Sequence, residues 1–283
     1  MKLMRVGAPG RERPVALLED GSGADLGGVL DPQRPWTGED LRAAAGAVAG
    51  GTLPRVDLAG LRVGPPLPRP VTVVCVGLNY RDHAAETGSP LPAEPILFLK
   101  SPATVVGPND EVLVPRGSVK TDYEVELGVV VGRRARYLET AEEGLAHVAG
   151  YVVSHDVSER EFQLERGGQW DKGKNCETFN PMGPWFVTAD EVPDPQALGL
   201  RLRVNGELRQ DGTTADMVFG VGELVAYISR FLVLEPGDVV NTGTPAGVAL
   251  GHPDPKPYLR AGDVVELEID GLGRMRHPVG DAR

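Results

Sequence analysis

The sequence predicts an α+β fold that is mostly β, with a few helices covering the sheets. The chain of 283 residues contains 37 Gly and 25 Pro, a proportion that implies many turns. Between these turns lie short runs rich in β-branched residues, which are typical of strands. Segments with helical spacing are few and do not alternate strictly with the strands, so a parallel βαβ architecture is not predicted.

The first part of the chain is predicted to be a small α/β domain. Two short apolar runs near the N-terminus predict a hairpin, and residues 38–49 predict a helix. A proline-rich stretch follows at residues 64–70. Because proline is stiff and interrupts regular elements, this stretch marks the predicted boundary between a domain of residues 1–65 and a larger domain of residues 71–283.

The larger domain contains most of the predicted strands. These strands are residues 71–76, 96–100, 111–114, 123–131, 151–155, 200–204, 207–210, 239–241 and 264–269. The predicted helices are residues 81–86, 141–149, 157–165 and 222–232. Asn205-Gly206 separates two of the strands and is the strongest short signal for a hairpin turn.

The charge balance excludes several classes of partner. Lys and Arg number 29 and Asp and Glu number 40, which gives a formal charge of −11. Such a surface repels phosphate backbones and anionic membranes, and the sequence has no apolar run long enough to span a bilayer.

The two cysteines, Cys75 and Cys176, form no CxxC pair, which indicates a reducing cytoplasm. Cys176 has no base at a recognisable spacing, so it is not predicted to be a nucleophile.

Three carboxylates are the candidate metal ligands. Glu124 and Glu126 alternate along a predicted strand and therefore project from one face. Two anions so close repel each other unless a cation lies between them, and the alternative is a solvated strand face. Asp156 follows another strand, where it would bind the metal or cap the next helix. Together they would form an oxygen site suited to Mg²⁺, Mn²⁺ or Ca²⁺ rather than zinc.

Five further polar residues are candidates for catalysis or substrate binding. His83 and Glu86 share a helix face at i and i+3, and a carboxylate beside an imidazole makes it a better base for water. The alternative is a surface pair. Arg160, Gln163 and Lys174 would hold a substrate carboxylate and a keto oxygen, or else face solvent.

A loop rich in Gly and Thr follows the strand at residues 239–241. Its sequence, TGTPAG, lacks the pattern of a phosphate-binding loop. The functional interpretation is that Thr244 presents its hydroxyl to a ligand, and the alternative is a plain connection.

Five sequence blocks resemble the fumarylacetoacetate hydrolase (FAH) family in order and context. They are VGLNYRDHAAE, TDYEVELGVVVG, VAGYVVSHDVSEREFQ, GKNCETFNPMGPW and NTGTPAGV, and together they span roughly residues 70–270. The resemblance implies an FAH-type mixed β-sandwich roll with a variable small N-terminal domain, assembled as a homodimer. Residues 157–174 look most like bacterial 2,4-diketo-3-deoxy-L-fuconate or -L-rhamnonate hydrolases, whose relatives are often labelled ureidoglycolate lyase.

The resemblance also assigns roles to the candidate residues. It implies that the ligands of Mg²⁺ or Mn²⁺, with Ca²⁺ as another occupant, are Glu124, Glu126 and Asp156. The implied water-activating pair is His83 and Glu86. The implied substrate-binding residues are Tyr80, Arg160, Gln163, Lys174 and Thr244, and Lys174 also has a catalytic role. Residues 83–88 resemble a mobile lid. His155 departs from the family pattern, because many members have Asn there.

The implied activity is hydrolysis of a C–C bond in a ketonic substrate. An acylpyruvate-type 2,4-dioxo acid, for example a 2,4-diketo-3-deoxy sugar acid, would yield pyruvate and a second acid. The alternatives are a metal-dependent decarboxylase or isomerase of a 2-oxo dicarboxylic acid, a lyase of the same family, and a catalytically silent binding protein. The partner would be a small anionic 2-oxo acid from carbohydrate or aromatic catabolism.

Overall fold

A computed structural model describes all 283 residues and contains eighteen strands. In chain order the strands are β1 (Lys2–Val6), β2 (Arg13–Leu17), β3 (Gly23–Asp25), β4 (Arg55–Val56), β5 (Val73–Gly77), β6 (Ile96–Lys100), β7 (Val105–Val106), β8 (Val112–Val114), β9 (Thr121–Asp122), β10 (Val125–Val131), β11 (Val148–His155), β12 (Ser158–Glu159), β13 (Asn180–Thr188), β14 (Gly199–Val204), β15 (Glu207–Thr213), β16 (Val239–Asn241), β17 (Val264–Ile269) and β18 (Gly273–Asp281).

The helices are few and short. They are α1 (Gly38–Ala49), α2 (Arg81–Glu86), α3 (Ala141–Ala146), α4 (Asp171–Lys174) and α5 (Val221–Ile228). None of them has both the length and the apolar character needed to cross a membrane. The prediction of a mostly β α+β fold is therefore confirmed.

Two mixed sheets face each other across the larger core. The first has eleven strands in the order β4-β3-β2-β1-β13-β11-β10-β16-β5-β6, with β7 added beside β13. The second has five strands in the order β15-β14-β17-β18-β8. Apolar side chains from both sheets, including Leu127 and Val153 from the first and Leu202 and Leu267 from the second, belong to one buried cluster. Face-to-face burial of this kind defines a β-sandwich.

The N-terminal segment extends the first sheet. Strand β1 pairs with β13, so that Leu3 lies opposite Phe186, and both residues belong to a second buried cluster. Helix α1 has the predicted bounds and begins with a capping box, in which Thr37 and Asp40 exchange side-chain and backbone hydrogen bonds. The stretch at residues 64–70 contains no helix or strand. The division into two domains stays a prediction.

The helix predicted over residues 157–165 is wrong in its first half. Ser158 and Glu159 form β12, which pairs with β9 and holds the chain extended. Only Glu161–Glu165 coils, and it does so as a π-helix. The tertiary pairing with β9 therefore overrides the local helical spacing. The hairpin prediction is confirmed, since Asn205 and Gly206 have φ angles of 52° and 82°, the positive values that a type I′ turn requires.

Candidate active site

The pairing of β10 with β11 brings the three predicted metal ligands together. Val125 lies opposite His155 in this antiparallel pair, so Glu124 and Asp156 meet just beyond the strand ends. Glu126 projects from the same face as Glu124 because strand side chains alternate. One oxygen from each of the three carboxylates lies within 4.8 Å of the others. Glu124, Glu126 and Asp156 are only 4%, 2% and 0% exposed, which rules out a solvated strand face.

Two of the carboxylates have cationic partners within the protein. Lys174 Nζ donates to Glu124 Oε2 at 2.8 Å and to Asp156 Oδ2 at 2.9 Å, and Arg160 Nη2 donates to Glu124 Oε1 at 2.6 Å. Burial alone would raise the pKa of Glu124, but the Lys174 and Arg160 charges outweigh it and hold that pKa well below its ordinary value. The Asp156 carboxylate binds ammonium groups and does not cap a helix.

Glu126 has no such partner. The Lys and Arg side chains around the site form their ion pairs with Glu124 and Asp156. Glu126 Oε2 accepts only the backbone N–H of Gly243, at 2.8 Å. Burial, followed by the charges of Asp156 and Glu124, raises the pKa of Glu126 well above its ordinary value. A buried carboxylate without a counter-charge is costly. A hard divalent cation held by the three carboxylates would supply that counter-charge, so these residues fit Mg²⁺ or Mn²⁺.

Of the predicted His–Glu pair, His83 faces the same space and Glu86 contacts its ring. His83 Nδ1 lies 2.7 Å from Glu86 Oε1, and Glu86 Oε2 accepts the backbone N–H of Gly247 at 2.9 Å. With Nδ1 engaged by the carboxylate, Nε2 is the nitrogen left to accept a proton. His83 is 7% exposed, so it is not half of a surface pair.

A cavity of about 280 Å³ lies between the carboxylates and α2. The predicted site residues that line it are His83, Glu124, Glu126, Asp156, Arg160, Gln163, Lys174 and Thr244. Tyr80 does not line it: this side chain is fully buried in the main core cluster, and its hydroxyl has no partner. The prediction that Tyr80 binds substrate is thus not supported by its position.

Thr244 and Arg160 are both fixed in the cavity wall. The Thr244 hydroxyl donates to the carbonyl of Val125 at 2.9 Å and accepts from Gln210 Nε2 at 2.8 Å. Arg160 Nε donates to Asp122 Oδ2 at 2.8 Å, and Arg160 Nη1 donates to Gln163 Oε1 at 3.1 Å. Side chains held in this way are preorganised for a ligand.

Sequence reasoning missed one charged residue of this site. Lys100 ends β6 and is 2% exposed, and its ammonium forms an ion pair with Asp156. The same ammonium donates to the carbonyls of Val157 at 3.1 Å and Phe179 at 2.6 Å. A lysine closing a strand that is otherwise apolar was the available signal, because a buried ammonium requires a partner.

Replacing Lys100 with Met should therefore destabilise the protein. The substitution keeps the length of the side chain but leaves Asp156 without one of its two cations. Breaking a buried ion pair costs about 3–5 kcal/mol, and urea unfolding of the metal-free protein measures this loss. The matched control is Lys120→Met, at a half-exposed ion pair with Glu165, where a loss below about 1 kcal/mol is expected. Equal losses in the two variants would contradict the role assigned to Lys100.

Comparison with known proteins agrees with this geometry. The profile described as fumarylacetoacetate (FAA) hydrolase C-terminal matches residues 72–280. The chain belongs to the fumarylacetoacetate hydrolase family. A Burkholderia multivorans protein, whose name goes no further than hydrolase, is 50% identical over 96% of each chain.

Two solved structures extend the comparison. The maleylpyruvate hydrolase from Sphingobium sp. SYK-6 is 30% identical, with a TM-score of 0.80 over 100% of both chains. The 5-carboxymethyl-2-hydroxymuconate delta-isomerase from Mycobacterium smegmatis is 31% identical, with a TM-score of 0.79 over 100% of both chains. The FAH-type fold is thereby confirmed, and the chain is similar to enzymes of both the hydrolase and the isomerase type.

Proposed function

We propose that this FAH-family protein is a metal-dependent hydrolase that cleaves the C3–C4 bond of an acylpyruvate-type 2,4-dioxo acid. The products would be pyruvate and a second carboxylic acid. The observation that carries the proposal is the position of His83, paired with Glu86, in the wall of the cavity that contains the three carboxylates. The similarity of the chain to a maleylpyruvate hydrolase supports a substrate of the acylpyruvate class.

Lys174 and Arg160 would neutralise the carboxylate end of the substrate. Both line the cavity and carry the positive charge that an anionic substrate needs inside a protein with a formal charge of −11. A divalent ion held by Glu124, Glu126 and Asp156 would supply Lewis-acid stabilisation of developing negative charge.

His83 would act as the general base. Its Nε2 removes a proton from water, and the hydroxide equivalent attacks the 4-carbonyl carbon while Glu86 stabilises the imidazolium. The C3–C4 bond then breaks, and its electron pair stays with C3 of the pyruvate fragment, which leaves as its enolate. C3 takes up one proton, which balances the proton taken from water, so one water is consumed for each substrate.

The alternative is isomerisation or decarboxylation of a 2-oxo dicarboxylic acid. Neither reaction requires attack by water. Decarboxylation would leave the His83–Glu86 pair with no water to activate, and isomerisation would use the imidazole only to move a proton on the substrate. A pair arranged as a base for water favours hydrolysis. A homodimer and a cytoplasmic location stay predictions.

A substrate panel tests the proposed function. Acylpyruvates, 2,4-diketo-3-deoxy sugar acids and 2-oxo dicarboxylic acids would be incubated with the protein and Mg²⁺ or Mn²⁺, and released pyruvate followed with lactate dehydrogenase and NADH. We expect pyruvate release from at least one 2,4-dioxo acid and its loss in EDTA, with recovery when the ion is added back. Pyruvate release at the same rate in EDTA, or from none of the compounds, would contradict the proposal.

A further inference from the structure

The cavity has an aromatic wall beside its charged end. Phe98 and Trp170 pack edge to face, with ring centroids 5.7 Å apart and an interplanar angle of 67°. Lys174 Nζ lies 5.1 Å from the centre of the Phe98 ring, so the wall begins next to the ammonium. Trp170 also lies against Gly77, where a Cβ would come within 2.5 Å of the indole. The missing side chain at Gly77 gives the indole its place in the wall.

The rest of the lining adds three leucines, two hydroxyl side chains and no free cation. The leucines are Leu78, Leu164 and Leu250, and the hydroxyls belong to Thr87 and Ser89. Arg160 and Lys174 are its only Lys or Arg residues, and both already pair with carboxylates. A substrate with one carboxylate shares these two cations with the protein. A second carboxylate, at the far end of the substrate, would find no counter-charge.

We propose that the acyl group of the substrate is aromatic and uncharged, so that the preferred substrate is an aroylpyruvate with a single carboxylate. This inference rests on the proposed function and specifies its substrate class. The aromatic ring of the acyl group packs on the Phe98–Trp170 wall, while the pyruvate end lies at Lys174 and the three carboxylates.

The physical chemistry separates the candidate substrate classes. An aromatic ring gains both area burial and favourable ring–ring contact on such a wall. A distal carboxylate that packs against this wall loses water without gaining a cation, which is costly. The hydroxyls of a deoxy sugar acid placed against the five apolar side chains would likewise lose water, and the lining hydroxyls of Thr87 and Ser89 already hydrogen-bond to each other. The sugar-acid preference that residues 157–174 imply by resemblance is therefore not the one that the wall favours.

Kinetics of the wild-type enzyme test the proposed substrate class directly. With the preferred divalent ion, kcat/KM would be measured for benzoylpyruvate, acetylpyruvate, maleylpyruvate and a 2,4-diketo-3-deoxy sugar acid. We expect the benzoylpyruvate value to exceed those of maleylpyruvate and the sugar acid by roughly tenfold or more. A higher value for either of those two overturns the aroyl assignment while leaving the proposed function intact. If none of the four compounds is cleaved, both the aroyl assignment and the proposed function are contradicted.

Variants of Trp170 locate the preference in the wall. Trp170→Ala is expected to lower kcat/KM for benzoylpyruvate by roughly tenfold and to change the acetylpyruvate value by less than about threefold, because acetylpyruvate has no ring to lose contact. Trp170→Phe should restore most of the benzoylpyruvate activity. The control is Phe231→Ala, an aromatic residue that is 64% exposed and outside the cavity lining. Equal losses on both substrates would overturn the assignment of this wall to the acyl group.

Discussion

Replacing His83 with Ala is expected to lower kcat for C–C cleavage by about 10²–10⁴-fold, the range supplied by a positioned general base. The imidazole is the side chain whose free ring nitrogen would take the proton from water, while the three carboxylates proposed to hold the metal are unchanged. The KM for the substrate and the affinity for Mn²⁺ should therefore change little. Pyruvate release under steady-state conditions, together with Mn²⁺ titration by calorimetry, measures both quantities.

The matched control is His147→Ala, because His147 lies after α3 and outside the cavity lining. This variant should retain wild-type kcat. Glu86→Gln adds a finer comparison: its single amide oxygen cannot accept from both His83 and Gly247, as the two carboxylate oxygens do. The kcat of Glu86→Gln should lie between the kcat of the wild type and that of His83→Ala. Cleavage at full rate by His83→Ala would show that a different group activates water.

Glu126→Gln should abolish metal-dependent activity without destabilising the metal-free fold. The amide has the shape of the carboxyl group and still accepts the Gly243 N–H, but it removes a buried negative charge that no side-chain cation compensates. Loss of a direct ligand should weaken Mn²⁺ binding by at least roughly 100-fold, since changes behind a ligand already cost 10–100-fold. In the wild type, Mn²⁺ at 100 times its Kd should add about 2.7 kcal/mol to the free energy of unfolding.

Thermal unfolding with and without Mn²⁺ separates these effects. Metal should raise the Tm of the wild type and of the surface control Glu142→Gln, but not that of Glu126→Gln. Glu124→Gln is expected to behave differently in the absence of metal. It removes one of the two carboxylate partners of Lys174 and one of the two of Arg160, and should therefore lower the Tm. A metal-induced Tm increase that survives in Glu126→Gln would contradict the proposed ligand set.

Local signals were enough to predict several elements of the fold. Helix α1 is predicted with its observed bounds because its amphipathic spacing and cap are both local. Strand β13 was not predicted, because Pro181 and Pro184 argue against a central strand. In the structure its pairing with β11 shifts register between Tyr151 and Val153, an irregularity of the kind that lets a sheet accept a residue without an N–H.

In the site, too, residues with a local sequence signal were predicted and residues placed by long-range contacts were not. Glu124, Glu126 and Asp156 were predicted because strand alternation places two of them on one face and a strand end places the third. Lys100 and Trp170 were missed as parts of the site. They come from β6 and from the end of a glycine-rich loop, and only long-range contacts bring them to the site. A lone tryptophan carries no local sign of its position. A lysine that ends an apolar strand indicates that its ammonium needs a partner, but not which partner.

Hydrolysis in ¹⁸O-labelled water tests the central claim most directly. Benzoylpyruvate or another cleaved acylpyruvate would be turned over once by the metal-loaded enzyme, and both products analysed by mass spectrometry. Attack of water on the 4-carbonyl predicts one ¹⁸O atom in the carboxylate of the acid released from the acyl side and none in the carboxylate of pyruvate. Turnover that releases CO₂ or an isomer, with no label in a new carboxylate, would contradict the hydrolytic account.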